Sequence, residues 1–171
     1  MLTWIVDDGP LDDLAMVVEA SSMSRWPRGR FRVAAATVAG ASGNRKALLD
    51  HPDSPFDPFS VSMDSEAADV LYSHLRQPST SDKNLAEHES IAWAITACPN
   101  AILVARDKRA AFQALAELGR GGAAHPSELW LHLLDEGHVT PEQFADLCRR
   151  TKRGEQSVEI PLRCQRRLPG T

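Results

Sequence analysis

Three acidic spots in this chain have the residue types and surroundings to do chemistry together. Asp7 follows the apolar run Leu2-Thr3-Trp4-Ile5-Val6, Glu87 and Glu89 open the segment AEHESIAWAI, and Asp107 ends the run Ala101-Ile102-Leu103-Val104-Ala105-Arg106. Short apolar runs bounded this way read as buried strands of a parallel sheet. Ligands of such sheets bind outside the carboxyl ends of the strands. Carboxylates gathered there repel one another, and a divalent cation relieves that repulsion. Hard oxygen ligands suit Mg²⁺ or Mn²⁺. A metal held by carboxylates at such an edge is suited to phosphodiester chemistry.

The elements that would position these acids alternate along the chain. Leu2 to Val6 reads as a first strand, broken at Asp7-Asp8-Gly9-Pro10. Pro10 suits the first turn of a helix, and Leu11, Leu14, Ala15 and Val18 recur at helical spacing, which predicts a helix to about Met23. Phe31 to Thr37 reads as a second strand. Gly40 and Gly43 then precede a helix-like RKALLDH. His51 to Phe59 holds Pro52, Pro55 and Pro58 and reads as an irregular connector, with Phe59 to Met63 as a third strand. Asp64 or Ser65 caps a helix through about Arg76, and QPSTSDK is a polar loop. Leu85 to Ala97 is a helix, Ala101 to Ala105 a fourth strand, and Lys108 to Leu118 a helix stopped by Gly119. Gly121 to His125 has room for a short fifth strand. Ser127 caps a further helix, and Thr140 with Gln143 forms a capping box for the next. Val158 to Leu162 reads as a tail or one extra strand. Strands alternating with helices predict a three-layer α/β/α sandwich on a parallel sheet of about four or five strands. The expected division is a main domain over residues 1–150 and a basic segment over 151–171.

The chain has 171 residues, with 43% apolar and 25% charged content, ordinary for a soluble globular domain. No apolar stretch approaches the ~20 residues of a membrane-spanning helix. MLTWIVDD lacks a basic start and a cleavage site, so a signal peptide is not expected and a cytoplasmic location is. Cys98, Cys148 and Cys164 lack CxxC spacing and are expected to stay reduced, and no histidine pairs with a cysteine at zinc spacing. The net charge is −4, unevenly spread: Arg149 to Thr171 carries seven basic residues against two acidic, a balance of +5, which leaves −9 on the rest. Arg25, Arg28, Arg30 and Arg32 form a second basic group. Acids that hold an ion and arginines that hold phosphates fit a metal-dependent nuclease; solvated loops fit the arginines equally well.

In this order the parts resemble the PIN domain family, a fold of metal-dependent ribonucleases and of the toxins of bacterial toxin–antitoxin pairs. IVDDGPLDDLA looks like the family's opening strand and turn, LAEHESIAWAI like its glutamate-led central helix, AILVARDKRAAFQALAELG like its next strand and helix, and HPSELWLHLLDEGHVT like the ending of a toxin-like branch. The resemblance spans about Leu2 to Cys148. It implies Asp7, Glu87 and Asp107 as catalytic and metal-binding acids, Mg²⁺ or Mn²⁺ as the ion, RNA as substrate and a water as nucleophile. It also implies an antitoxin protein and a homodimer as partners. Arg106, Arg109, Arg149 and Arg150 are the candidates for holding RNA. Two departures stand out. TVAGASGNRKALL carries no Asp or Glu before Asp50, where the family has an acid, and only Glu128 lies near the place of a further acid. These leave open a second reading, a degenerate PIN-like module that binds RNA or protein without cutting. A third is an unrelated α/β protein whose carboxylates are caps and turns, far apart in space.

Each residue also has a plainer role. Asp7 and Asp8 suit a turn, Asp12 and Asp13 a helix first turn, and Asp107 an N-cap. Glu87 and Glu89, two apart on a helix, point in different directions, which predicts one facing the site and the other solvent. His88 and His125 read as ordinary surface or core histidines. Trp4, Trp93 and Trp130 read as core. Trp26 is either a loop anchor or a base-stacking side chain.

Overall fold

A computed structural model describes residues 2–76, 84–154 and 160–169. Five strands form one all-parallel sheet: β1 (Thr3–Val6), β2 (Phe31–Ala34), β3 (Phe56–Phe59), β4 (Ala101–Val104) and β5 (Ala123–Ala124), in the order β3-β2-β1-β4-β5. The helices are α1 (Asp8–Val17), α2 (Ala35–Ala39), α3 (Gly43–Asp50), α4 (Glu66–Leu75), α5 (Leu85–Ala97), α6 (Lys108–Leu118), α7 (Pro126–Asp135), α8 (Pro141–Gly154) and α9 (Leu162–Gln165). They cover both faces of the sheet, which makes the α/β/α sandwich that the alternating pattern predicts.

Alternate residues of each strand serve opposite cores, as expected when both faces of a parallel sheet are covered. Trp4 and Val6 of β1 and Phe31 and Val33 of β2 join Leu11, Leu14, Trp130, Phe144 and Leu147 on one side. Ile5, Ala34 and Leu103 join Ile91, Ala94, Ala110 and Ala114 of α5 and α6 on the other. No helix among the described residues is long and apolar enough to cross a membrane.

Several elements differ from the pattern-based reading. α1 ends at Val17 and the chain continues as a 3₁₀ helix, Ala20–Arg25, instead of running to Met23 as one helix. β2 stops at Ala34, and Ala35-Ala36-Thr37 turn at once into α2. The third strand lies at Phe56–Phe59, not Phe59 to Met63. It contains Pro58, which an edge position tolerates because one row of its backbone groups has no partner strand. α7 is capped by His125, with Pro126 at its first position, instead of by Ser127. The boundary at residue 150 falls inside α8. Thr151 is fully buried, and the chain beyond returns to the body: Cys164 of α9 is buried against Ser127, and Arg163 and Arg167 pair with Glu128 and Asp135. Leu162 begins this helix, not a strand, while Val158, Glu159 and the QPSTSDK loop lie outside the described residues.

Other readings hold closely. α5 and α6 have the expected bounds, and Gly119 ends α6 at φ +76°, a conformation that costs side-chain-bearing residues energy. Thr140 and Gln143 make the reciprocal capping box, at 2.9 and 3.2 Å.

Candidate functional site

β1 is the centre of the sheet and its point of reversal. The chain steps outward from β1 to β2 and β3, then returns to place β4 on the other side of β1. Strand order reverses between β1 and β4, and the loops that leave their carboxyl ends diverge, opening a crevice. Asp7 is the first residue after β1, with its backbone N–H still bonded to Val104 O at 3.1 Å. Asp107 lies shortly after β4 and is the N-cap of α6. The N-terminal turn of α5 brings Glu87 to the same place. All three line one cleft of about 460 Å³, together with Asp8, Ala36, Thr37, Gly40, Arg45 and Asn84. Asp7 and Asp107 also stand at the N-cap positions of α1 and α6.

The electrostatics of the cleft are uneven. Burial, then the neighbouring Asp8, pushes Asp7 up to about 6, and Asp107 adds to the repulsion. Burial pushes Glu87 up to about 7 despite the opposing pull of Arg109, with Asp7 and Asp107 raising it further. Asp107 serves two groups at once: its carboxylate accepts the Arg109 N–H at 2.8 Å as a helix cap, and it lies 3.8 Å from the Arg109 guanidinium.

Two arginines stand among these acids. Arg109 donates from Nη2 to Glu87 Oε2 at 3.2 Å. Arg45 of α3 lies 3.5 Å from Asp8 and 3.3 Å from Asp12, and also donates to Gly40 O. The stretch after β2 therefore contributes a cation, Arg45 on α3, and no acid before Asp50, where the resemblance implies one. The RKALL segment carries that residue in plain sight, but its direction depends on α2 and α3 folding back across the strand ends.

The remaining RNA candidates lie elsewhere. Arg106 turns away from the cleft to Gly9 O, at 3.0 Å, and to the buried Asp13. Asp13 also accepts from Thr151 Oγ1 at 3.2 Å, and that hydroxyl accepts from Trp130 Nε1 at 3.0 Å. This network ties α1, the β4–α6 turn, α7 and α8 together, so Asp13 is more than a first-turn acid. Arg149 and Arg150 both pair with Asp146 on their own helix. None of these three arginines lines the cleft.

Glu89 departs from the sequence expectation. It is 8% exposed and does not face solvent. Its carboxylate accepts the backbone N–H groups of Ala36, at 3.1 Å, and Val61, at 3.3 Å. It thereby holds the chain leaving β2, where Ala36 lines the cleft, and the chain leaving β3. Positions two apart do diverge on a helix; both directions here meet protein because α5 is buried nearly all round. His88 is buried against His74 and Gln113, and His125 caps α7. Trp26 is 4% exposed and packs on Phe31 and His138, so it is a loop anchor and not a base-stacking side chain.

The donor set of the cleft, the carboxylates of Asp7, Asp8, Glu87 and Asp107, is of the oxygen type that suits a hard cation. Among the described residues, however, no three His, Cys, Asp or Glu side chains are already grouped to hold a metal ion. Glu87 and Asp107 are instead held by Arg109. No protein-family model, curated protein or solved structure matches the chain.

Proposed function

We propose that the protein is a PIN-type, metal-dependent endoribonuclease whose site is the cleft between β1 and β4. One observation carries this reading. Asp7, Glu87 and Asp107 come from three separate stretches of chain to a single cleft at the reversal of strand order. Burial and mutual repulsion hold Asp7 and Glu87 at about 6 and about 7. Groups perturbed in this way, inside a cleft, mark functional sites more often than structural ones.

Mg²⁺ or Mn²⁺, when bound by the three carboxylates, would activate a water and neutralise charge on the scissile phosphate. The rest falls to the chain. Asp7 and Glu87 hold protons in slightly acidic solution and must release them before their oxygens serve as ligands. Glu89 fixes Ala36, which lines the cleft, by accepting its backbone N–H. Arg45 pairs with Asp8 and Asp12 and partly offsets the repulsion that Asp8 exerts on Asp7. The products would carry a 5′-phosphate and a 3′-hydroxyl. A cytoplasmic toxin paired with an antitoxin protein, and a homodimer, belong to the same proposal.

A second reading, a module that binds RNA or protein without cutting, draws its support from the Arg109–Glu87 pair and from the cation Arg45 in place of an acid. Asp7→Asn separates the two. In the first reading it abolishes RNA cleavage and leaves the circular dichroism spectrum unchanged. Full cleavage by a folded, nuclease-free Asp7→Asn preparation would refute the assigned role.

A further inference from the structure

We propose that Thr37 is a substrate-binding residue of the cleft and that its hydroxyl recognises the ribose 2′-hydroxyl, which makes the site selective for RNA over DNA. This deepens the proposed function, on which it rests, by naming the sugar that the cleft reads.

Thr37 lies in α2, the short helix that follows β2 without interruption. It is 5% exposed and lines the same cleft as Asp7 and Glu87. Its hydroxyl makes no hydrogen bond among the described residues, and its oxygen is not sealed from solvent. By contrast, the buried hydroxyls of Ser90, Ser127 and Thr151 are spent inside the protein, on Ala86 O, His125 Nδ1 and Leu147 O. A buried hydroxyl without a protein partner is completed by water or by a ligand. Its place is fixed from behind, because Glu89 accepts the N–H of the preceding residue, Ala36, at 3.1 Å. The other groups of the cleft decide what it takes. The carboxylates of Asp7, Asp8, Glu87 and Asp107 accept hydrogen bonds and, by themselves, repel a phosphate. A sugar hydroxyl is neutral, and it donates and accepts at once. It can donate to a carboxylate, a pairing acids make with ribose in dinucleotide sites, while it accepts from Thr37 Oγ1. Glu87 has an oxygen for this: Arg109 engages Oε2, and Oε1 has no partner among the described residues. The 2′-hydroxyl is the group by which a protein separates RNA from DNA. A deoxyribose in its place would leave Thr37 unpaired in a filled cleft, and a site built for a hydroxyl rejects the analogue that lacks it.

The test uses the protein in EDTA, so that no ion takes part. The probes are cytidine and 2′-deoxycytidine, and binding is followed by NMR at the amides of Ala36 and Thr37. Wild type should bind cytidine about three- to tenfold more tightly than the deoxynucleoside, the range for one net hydrogen bond. Thr37→Val, which keeps the shape, should bring that ratio below about twofold, and Thr37→Ser should restore it. Thr37→Val should also unfold in urea no more readily than wild type, because no internal hydrogen bond is lost. A marked loss of stability would assign the hydroxyl a structural role and overturn the inference. Equal binding of the two nucleosides by wild type, binding of neither, or an unchanged ratio in Thr37→Val overturns it as well. RNA cleavage is read separately. Wild type that cuts RNA but shows no sugar preference loses this inference alone. A preference for cytidine that depends on Thr37, in a protein that cuts no RNA, supports the ribose site and removes the nuclease.

Discussion

Replacing Glu87 with glutamine should stabilise the protein at neutral and alkaline pH. In the folded chain the carboxyl is raised from 4.5 to about 7, with burial the largest cause. Below 4.5 it is protonated whether the chain is folded or not, and contributes nothing. Above about 7 it is ionised in both states, and the folded state carries the full cost of a buried charge. Between these limits the folded state binds more protons than the unfolded one, so this group lowers stability as pH rises. At about 1.36 kcal/mol per unit, the shift corresponds to roughly 3 kcal/mol. Glutamine keeps the shape and an acceptor for Arg109, losing a few tenths of a kcal/mol at that half-exposed contact. A net gain of about 2 kcal/mol corresponds to ~4–8 °C in Tm for a chain of this size. The assay is thermal or urea unfolding of both proteins between about pH 4 and pH 8, with the gain shrinking toward zero at the acid end. A Glu87→Gln variant less stable than wild type at the alkaline end, or a difference that does not vary with pH, would overturn this account of the cleft.

Further outcomes follow from the groups around it. Thr151→Val removes the hydroxyl that joins Trp130 to Asp13 and should cost about 1–2 kcal/mol in urea unfolding, since the buried Trp130 Nε1 loses its acceptor while Asp13 keeps Arg106; a loss within the measurement error would mean that the network is dispensable. Glu89→Gln turns an acceptor of two N–H groups into one acceptor and one donor, and should cost about 1–2 kcal/mol and quicken amide exchange at Ala36 and Val61. Faster exchange at neither amide would argue against its bridging role. In the native protein, Ellman's reagent should titrate one thiol, Cys98, because Cys148 and Cys164 are fully buried and burial pushes Cys148 up to about 12. Rapid reaction of a second thiol before unfolding would mean that the C-terminal helices open readily.

The sandwich was legible because its signals are local and repeated. Apolar runs such as Ala101–Val104, the Gly119 stop and the Thr140–Gln143 box each act within a few residues. Errors fell where a long-range effect wins. Pro58 argues against a strand in general, yet it is accommodated in β3 because that strand is at the edge, and sheet order is not a local property. Ala35 to Ala39 follow an apolar strand without interruption, so nothing in their types marks where β2 becomes α2; the Ala36 N–H bonded to Glu89 stabilises the bend. Asp7 and Asp107 were visible as acids at strand ends. The inward course of Glu89, Asp13 and Arg106 was not, because it depends on which elements pack together rather than on spacing along one helix.

The two charged clusters at this edge of the sheet explain why the cleft, and not its neighbour, is the site to test. Behind the β4–α6 turn, Asp13 is matched by Arg106, Thr151 and, through the hydroxyl, Trp130. Burial raises Asp13 as it raises the cleft acids, but its carboxylate is paired with Arg106 and Thr151 and fixes α1 against α7 and α8. In front, Asp7, Asp8, Glu87 and Asp107 surround open space, with Arg45 on Asp8 and the half-exposed Arg109 on Glu87 and Asp107. Such an arrangement costs stability, as the raised Asp7 and Glu87 indicate. Substitutions that abolish that cost are conservative, Glu87→Gln among them, so a fold under no other demand would have a simple route to relieve it. A cation bound there, as in the proposed function, would relieve that cost, whereas Asp13 is already paired with Arg106.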